Sequence, residues 1–279
     1  EGRIEALESI RGYLKKQNEK YVIMTDSNVA VNFDFNDLLH AHMASGADAT
    51  VVYRKQEIPD SLIRQSTETV DMYYALGING DHVSKIYVNP TEKGEMNFCL
   101  NIYVMERERL IRMIDDAYVH GYTNFVRDVL ERQIEHLDVR GYCYDGYVAQ
   151  IHDMKSYFEE NMKLLREENL NALFSGNQIY TKIRDDNPTR YINGSKAKNI
   201  MVADGCVIEG EVENSVLFRG VRIGKGAKVK NCVLMQDTVV EDNASVEYVI
   251  TDKDVTITEG KSLTGNDSFQ VFVAKGQTV

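Results

Sequence analysis

The chain has 279 residues, 43% hydrophobic and 27% charged, with a formal charge of -11, an ordinary globular composition long enough for two domains and a sizeable core. The excess of carboxylates disfavours nucleic acid or an anionic membrane as the principal partner, because phosphate binding needs a positive field. Cys99, Cys143, Cys206 and Cys232 lie far apart, with no CxxC and no histidine at metal-ligand spacing, so neither a zinc site nor a disulfide framework is indicated. With no signal-peptide pattern and no apolar run near the ~18 residues of a membrane span, a cytoplasmic protein is expected.

Ile4, Leu7, Ile10 and Leu14 at helical spacing predict a helix feeding a buried strand over 21–25. An N-cap region at 34–37, an apolar face of Leu38, Leu39 and Met43, and a stop at Gly46 predict the next helix, followed by a strand over 48–53. His40 and His42 in that helix read as packed or exposed rather than catalytic. Strands are expected at 70–74, 85–88 and 98–105, and helices at 106–119 and 124–134. A helical segment over 153–168 is expected to close the α/β region. Asp153 reads as its N-cap, with a His152–Asp153 base and orienter pair as the alternative. Alternating helices and strands imply a mostly parallel sheet.

From 175 to 197 the periodicity is lost and Gly176, Pro188 and Gly194 punctuate a polar stretch, which marks a linker. An α/β domain over 1–174 and a second domain over 198–279 flank it. In the second domain Ser215-Val216-Leu217-Phe218, Cys232-Val233-Leu234-Met235 and Val249-Ile250-Thr251-Asp252 recur every 17 residues. The same offset returns Ile223, Val240 and Ile257, and relates Val229 to Val246. Hexapeptide coils that stack branched residues inward and bend at small ones build a parallel β-helix, here of about four coils before Gly265. Phe269, Val271 and Val273 are expected on one face of a closing strand, with Phe272 on the other. So short a solenoid is expected to lean on the α/β domain or on another subunit.

The order of domains, together with Gly2-Arg3-Ile4-Glu5-Ala6, Ser45-Gly46-Ala47-Asp48-Ala49-Thr50, Gly205-Cys206-Val207-Ile208 and Ser215-Val216-Leu217, resembles the ADP-glucose pyrophosphorylases (glucose-1-phosphate adenylyltransferases). The first two segments look like that family's Gly-Thr-Ala-x-Ala and Ser-Gly-Ala-Asp-Ala-Thr. The resemblance implies an α/β fold: a Rossmann-like nucleotidyltransferase domain, here incomplete at its N-terminus, followed by a short left-handed parallel β-helix. The family's GGxGxRL-like nucleotide loop would precede residue 1 and does not occur in the 279 residues, so ATP binding in the usual way is not expected of this chain.

Such an enzyme joins glucose 1-phosphate to the α-phosphorus of ATP, holding Mg²⁺ with carboxylates and phosphate with Lys or Arg. The resemblance places the family's metal-binding Asp, six residues before an Asp-Tyr-like pair, at Asn28, counted back from Asp34-Phe35. A neutral amide is a poor magnesium ligand, and Asp26 is the alternative. The Lys of Glu-Lys-Pro falls at Asn89, and the second metal-binding Asp falls at Gln150. Gly2, Asn89 and Asn101 mark substrate positions in degenerate form. Three neutral residues at charged positions indicate the non-catalytic, GlgD-like regulatory branch, with no cofactor expected here. An active adenylyltransferase is the first rival. A β-helix acyltransferase is the remote one, and it is disfavoured because all six histidines precede residue 153.

Lys182, Arg184 and Arg190 give the linker a basic bias that suits a sugar-phosphate effector, and Arg190 matches a Lys position in the family's Pro-Pro-x-Lys segment. The implied partner is a catalytic homologue in a tetramer.

Overall fold

A computed structural model of the chain describes residues 3–59, 62–63, 73–181 and 184–279. Contacts divide it into two units: residues up to Val29 with Phe33–Gly146, and Ala30–Asn32 with Tyr147–Val279.

In the first unit α1 (Arg3–Ser9) and α2 (Arg11–Leu14) lead into β1 (Tyr21–Thr25). After β2 (Val29–Val31), α3 (Phe35–Ser45) begins where the Asp34 side chain accepts from the Asn36 backbone N–H at 2.8 Å. The Ser45–Thr50 motif works as a helix stop followed by a strand start. Gly46 takes φ 66° to close α3, and the Asp48 carboxylate accepts from the Asp138 N–H at 3.0 Å. Ala49 and Thr50 then open β3 (Ala49–Glu57) in the core.

β4 (Tyr74–Asn79), β5 (His82–Val88) and β6 (Glu95–Glu106) follow, then α4 (Arg107–Val119), a π-helical turn Phe125–Leu130 and β7 (Val139–Cys143). Residues 70–72 of the strand expected over 70–74 lie outside the described residues. The sheet runs β1-β6-β3-β7-β5-β4. The expectation of a mostly parallel sheet is corrected: among the described pairings only β3–β7 is parallel, and the others are antiparallel. The reason is local, since β4 and β5 form a hairpin through Gly80 at φ 66°, and β6 returns along β1 and β3 without a crossover helix beside it. Leu110, Met113, Ile114 and Ala117 bury one stripe of α4 in the same core as Tyr74, Met105 and Leu130.

In the second unit β8 (Val148–Gln150) pairs with β2 and precedes α5 (Met154–Lys163) and α6 (Glu167–Phe174). A parallel β-solenoid follows, matching the repeat. Its coils are tied by the pairings Ile208↔Ile223, Ile223↔Val240 and Val240↔Ile257, and all four side chains are essentially inaccessible. Val229 and Val246 stack in the same way. The first coil starts at Arg190, within the stretch read as linker, because Arg190 pairs with Val207.

The strands alternate inner and outer side chains. Leu217, Leu234 and Val249 turn inward. Val216, Val233 and Ile250 turn outward and are covered by Phe158 of α5 with Tyr157, Met162 and Leu165 around it. The segment expected to close the α/β region thus packs on the solenoid instead. Val271 and Val273 pack on the inner core while Phe272 points outward, as expected. Phe269 is corrected: it stands outside the strand, in a turn closed on Asn266, and is 70% exposed. On one exposed face Lys196, Glu211, Lys228 and Ser245 form one column and Lys198, Glu213, Lys230 and Glu247 the next. Lys196–Glu211 at 2.8 Å and Lys198–Glu213 at 3.1 Å bridge successive coils.

Candidate functional site

The polar centre of the first unit forms where β1 ends beside a break in β6. Asn101 interrupts β6 with φ 55°, and the register with β3 shifts there, between Val51 and Tyr53. A β-bulge of this kind re-aims a side chain. The Asn101 side-chain oxygen accepts from Tyr103 Oη at 2.9 Å and from Arg3 Nη1 at 3.5 Å. Arg3, on the first turn of α1, places Nη2 2.5 Å from Asp26 Oδ2. Its guanidinium carbon lies 5.9 Å from the centre of the Tyr74 ring, and Tyr74 Oη donates to Asn124 Oδ1 at 2.9 Å.

The electrostatics follow from burial. Desolvation pushes the Asp26 carboxyl above the usual carboxylate range, and the opposing pulls of Arg3 and Asn101 do not cancel it. Burial would lower Arg3, but Tyr103, Asp26 and Tyr74 together hold it above its ordinary value. Burial also drives Tyr103 well up and raises the Cys99 thiol. All of these groups keep their protons or their partners at neutral pH, so the cluster is a closed polar network. Asp26 has an internal partner in Arg3. Among the described residues no group of three or more His, Cys, Asp or Glu is arranged to hold a metal ion.

The structure brings Asp26 and Asn101 together in the first unit. Asn28 is exposed in the turn between β1 and β2. Asn89 ends the β4–β5 hairpin at φ 46°, where its side chain accepts from the Tyr73 N–H at 3.0 Å and its own N–H donates to the Tyr73 carbonyl at 2.9 Å. That left-handed backbone suits Asn, and the two bonds continue the hairpin pairing beyond Val88 at its open end. Gln150 ends β8 in the second unit. Asp153 caps α5, accepting from the Ser156 N–H at 2.7 Å in a reciprocal capping box. His42 is buried, with Nδ1 2.8 Å from Thr50 Oγ1 and its ring edge-on to Tyr21. Gly2 and Lys182 lie outside the described residues.

In the second unit Arg184 meets Asp186 at 3.4 Å, and Asp186 also meets Arg219 at 3.4 Å. Arg190 lies exposed on the first coil, in the strand ladder that continues through Val207 to Arg222.

Residues 183–270 match the GlmU-like, C-terminal hexapeptide family. Over 95% of its length the chain is 30% identical to glycogen biosynthesis protein GlgD of Bacillus subtilis (strain 168), of which it covers 65%. The chain is a relative of the GlgD and glucose-1-phosphate adenylyltransferase proteins. Over 82% of its length it is 30% identical to a glucose-1-phosphate adenylyltransferase of Geobacillus stearothermophilus, covering 58% of that protein. Over 78% it is 32% identical to a GlgD protein of the same organism, covering 51%. The chain therefore spans 51–65% of the length of these relatives.

Sequence reasoning missed Arg3 as the partner of Asp26 and Arg219 as the second partner of Asp186. No periodic signal links residues so far apart in the chain. The position of Arg3 in place of a family Thr was visible, but only the fold sets that cation beside Asp26.

Proposed function

We propose that this chain comes from a non-catalytic, regulatory protein of glycogen biosynthesis that assembles with a catalytic glucose-1-phosphate adenylyltransferase. The observation that carries the reading is the Arg3–Asp26 pair. The one carboxylate at the end of β1 that was a candidate for metal binding is held by a guanidinium, while Asn28 beside it is neutral and exposed. In-line phosphoryl transfer needs a carboxylate-held metal or an equivalent charge clamp, and an internal Arg–Asp pair supplies neither. Arg184, Arg190 and Arg219 are the residues offered to an anionic sugar-phosphate effector, with Asp186 setting the spacing of two of them.

The test is an assay of the full-length parent, alone and mixed with the catalytic homologue of its own organism. ADP-glucose synthesis should be absent from the parent alone. The mixture should form a larger species by light scattering and respond to sugar phosphates differently from the homologue by itself. Turnover by the parent alone on the order of 1–10³ s⁻¹ would overturn the reading.

A further inference from the structure

Within the second unit a groove of about 670 Å³ follows one corner of the solenoid beside α5, a size in the range of small-ligand sites. One wall is a column of residues a coil apart, Asn199, Asn214, Asn231 and Tyr248, each in the left-handed region at φ 50°, 47°, 50° and 52°. Asparagine suits that backbone. Tyrosine does not, because its Cβ crowds the following carbonyl. Strain is thus kept where Asn would relieve it, and the half-buried Tyr248 ring packs beside the Phe158 cluster, its centre 6.1 Å from that of Phe158, while still lining the groove.

The polar lining is only partly used by the protein. Asn199 donates to Asn214 Oδ1 at 2.8 Å, and among the described residues the Asn214 amino group and the Asn231 side-chain amide have no protein partner. Charge is nearly balanced: Lys155 faces Glu159 at 3.6 Å and Lys163 pairs with Glu160 at 2.6 Å, which leaves Arg166 and Asp267 as one cation and one carboxylate on the lining.

We propose that this groove binds a neutral linear oligosaccharide, with Tyr248 stacking on a sugar face and the Asn column meeting pairs of hydroxyls. Amides that both donate and accept, spaced at the ~4.8 Å of adjacent strands, match a ligand that repeats its hydroxyls along a line. A groove without surplus positive charge is a poor match for a phosphate chain. The inference stands on these residues alone and does not depend on the regulatory reading above.

Calorimetric titration of the full chain with maltohexaose, cellohexaose and glucose 1-phosphate tests it. At least one hexasaccharide should bind, and Tyr248→Asn, which extends the asparagine column, should keep the circular dichroism spectrum while weakening binding about tenfold or more. Tyr248→Phe should stay within about threefold of the parent, and Asn231→Ala, which leaves the aromatic wall intact, should also weaken binding. Neither hexasaccharide binding at ~10 mM, or affinity unchanged in both Tyr248→Asn and Asn231→Ala, would overturn the proposal. Binding of glucose 1-phosphate alone, lost in Tyr248→Asn, would overturn it in favour of an anion site.

Discussion

Replacing Arg3 by Ala and Asp26 by Asn, singly and together, asks whether the network at the end of β1 is held by a true ion pair. Opposite charges about 4 Å apart at an effective dielectric near 20 attract by roughly 4 kcal/mol. The two side chains keep 32% and 27% of their exposure, and Asp26 sits above its ordinary pKa despite its partner, so desolvation takes back a large part of that attraction. A coupling of about 1–2 kcal/mol should remain. Hydrogen exchange at the Ile23 and Val104 amides, on paired strands of the first unit, reads it without assuming that the whole chain unfolds in one step.

The sign with pH is fixed by the direction of the shift. Because the folded Asp26 pKa is raised, its ionised form counts against the fold at neutral pH, and that cost is relieved as the pH falls through the folded value. Removing Arg3 enlarges the cost, so the Arg3→Ala deficit should be full at pH 7 and shrink on acidification. Single effects that add to within about 0.3 kcal/mol, or a deficit that grows at low pH, would refute the ion-pair account and with it the main support for a metal-free site.

Ile223→Ala should cost the second unit about 3 kcal/mol, because the side chain is 1% exposed and locked between Ile208 and Val240; protection should fall at solenoid amides and not at those of β3 and β6. Asn101→Ala should be about 1 kcal/mol worse than Asn101→Gly by urea unfolding, since both lose the Tyr103 bond but only Ala pays for φ 55°. Burial lowers the His42 pKa below the value it has when unfolded, so its neutral form stabilises the fold fully above pH ~6.5 and less as pH falls below that; His42→Leu should flatten the change in first-unit stability between pH 7.5 and about 5.5.

The solenoid was legible because its signal is periodic and local: one offset relates Ile223, Val240 and Ile257, and register follows from repetition. Its first coil escaped notice because the coil after it is short: Arg190 and Val207 are 17 residues apart but Val207 and Arg222 only 15, which puts the first coil out of phase with the later repeats. The antiparallel sheet was also written in the chain, as an Asn-Gly turn at 79–80 between two apolar runs, a stronger hairpin signal than the helix–strand alternation that outweighed it. α5 was read correctly as a helix and assigned to the wrong surface. Its apolar stripe records only that it packs, while the outward row of Val216, Val233 and Ile250 that receives it belongs to a distant part of the sequence. For the candidate site, residue types were readable and pairings were not. Asn89 stands at a family Lys position in the sequence, and only the fold shows that its backbone and side chain both engage Tyr73 at the open end of the β4–β5 hairpin.

The charged columns on the solenoid carry a rule about how such a chain can lengthen. Reading down the coils, Lys198, Glu213, Lys230 and Glu247 alternate in sign before the column ends at Thr264, so each of these four coils has a parity. Duplicating a single coil would keep the apolar stack intact and yet set lysine on lysine or glutamate on glutamate across a strand spacing, where like charges repel. Duplicating two coils together would restore the alternation. The hydrophobic interior therefore permits growth by one coil at a time while the exposed face permits it by pairs, and the outer surface alone distinguishes an even solenoid from an odd one.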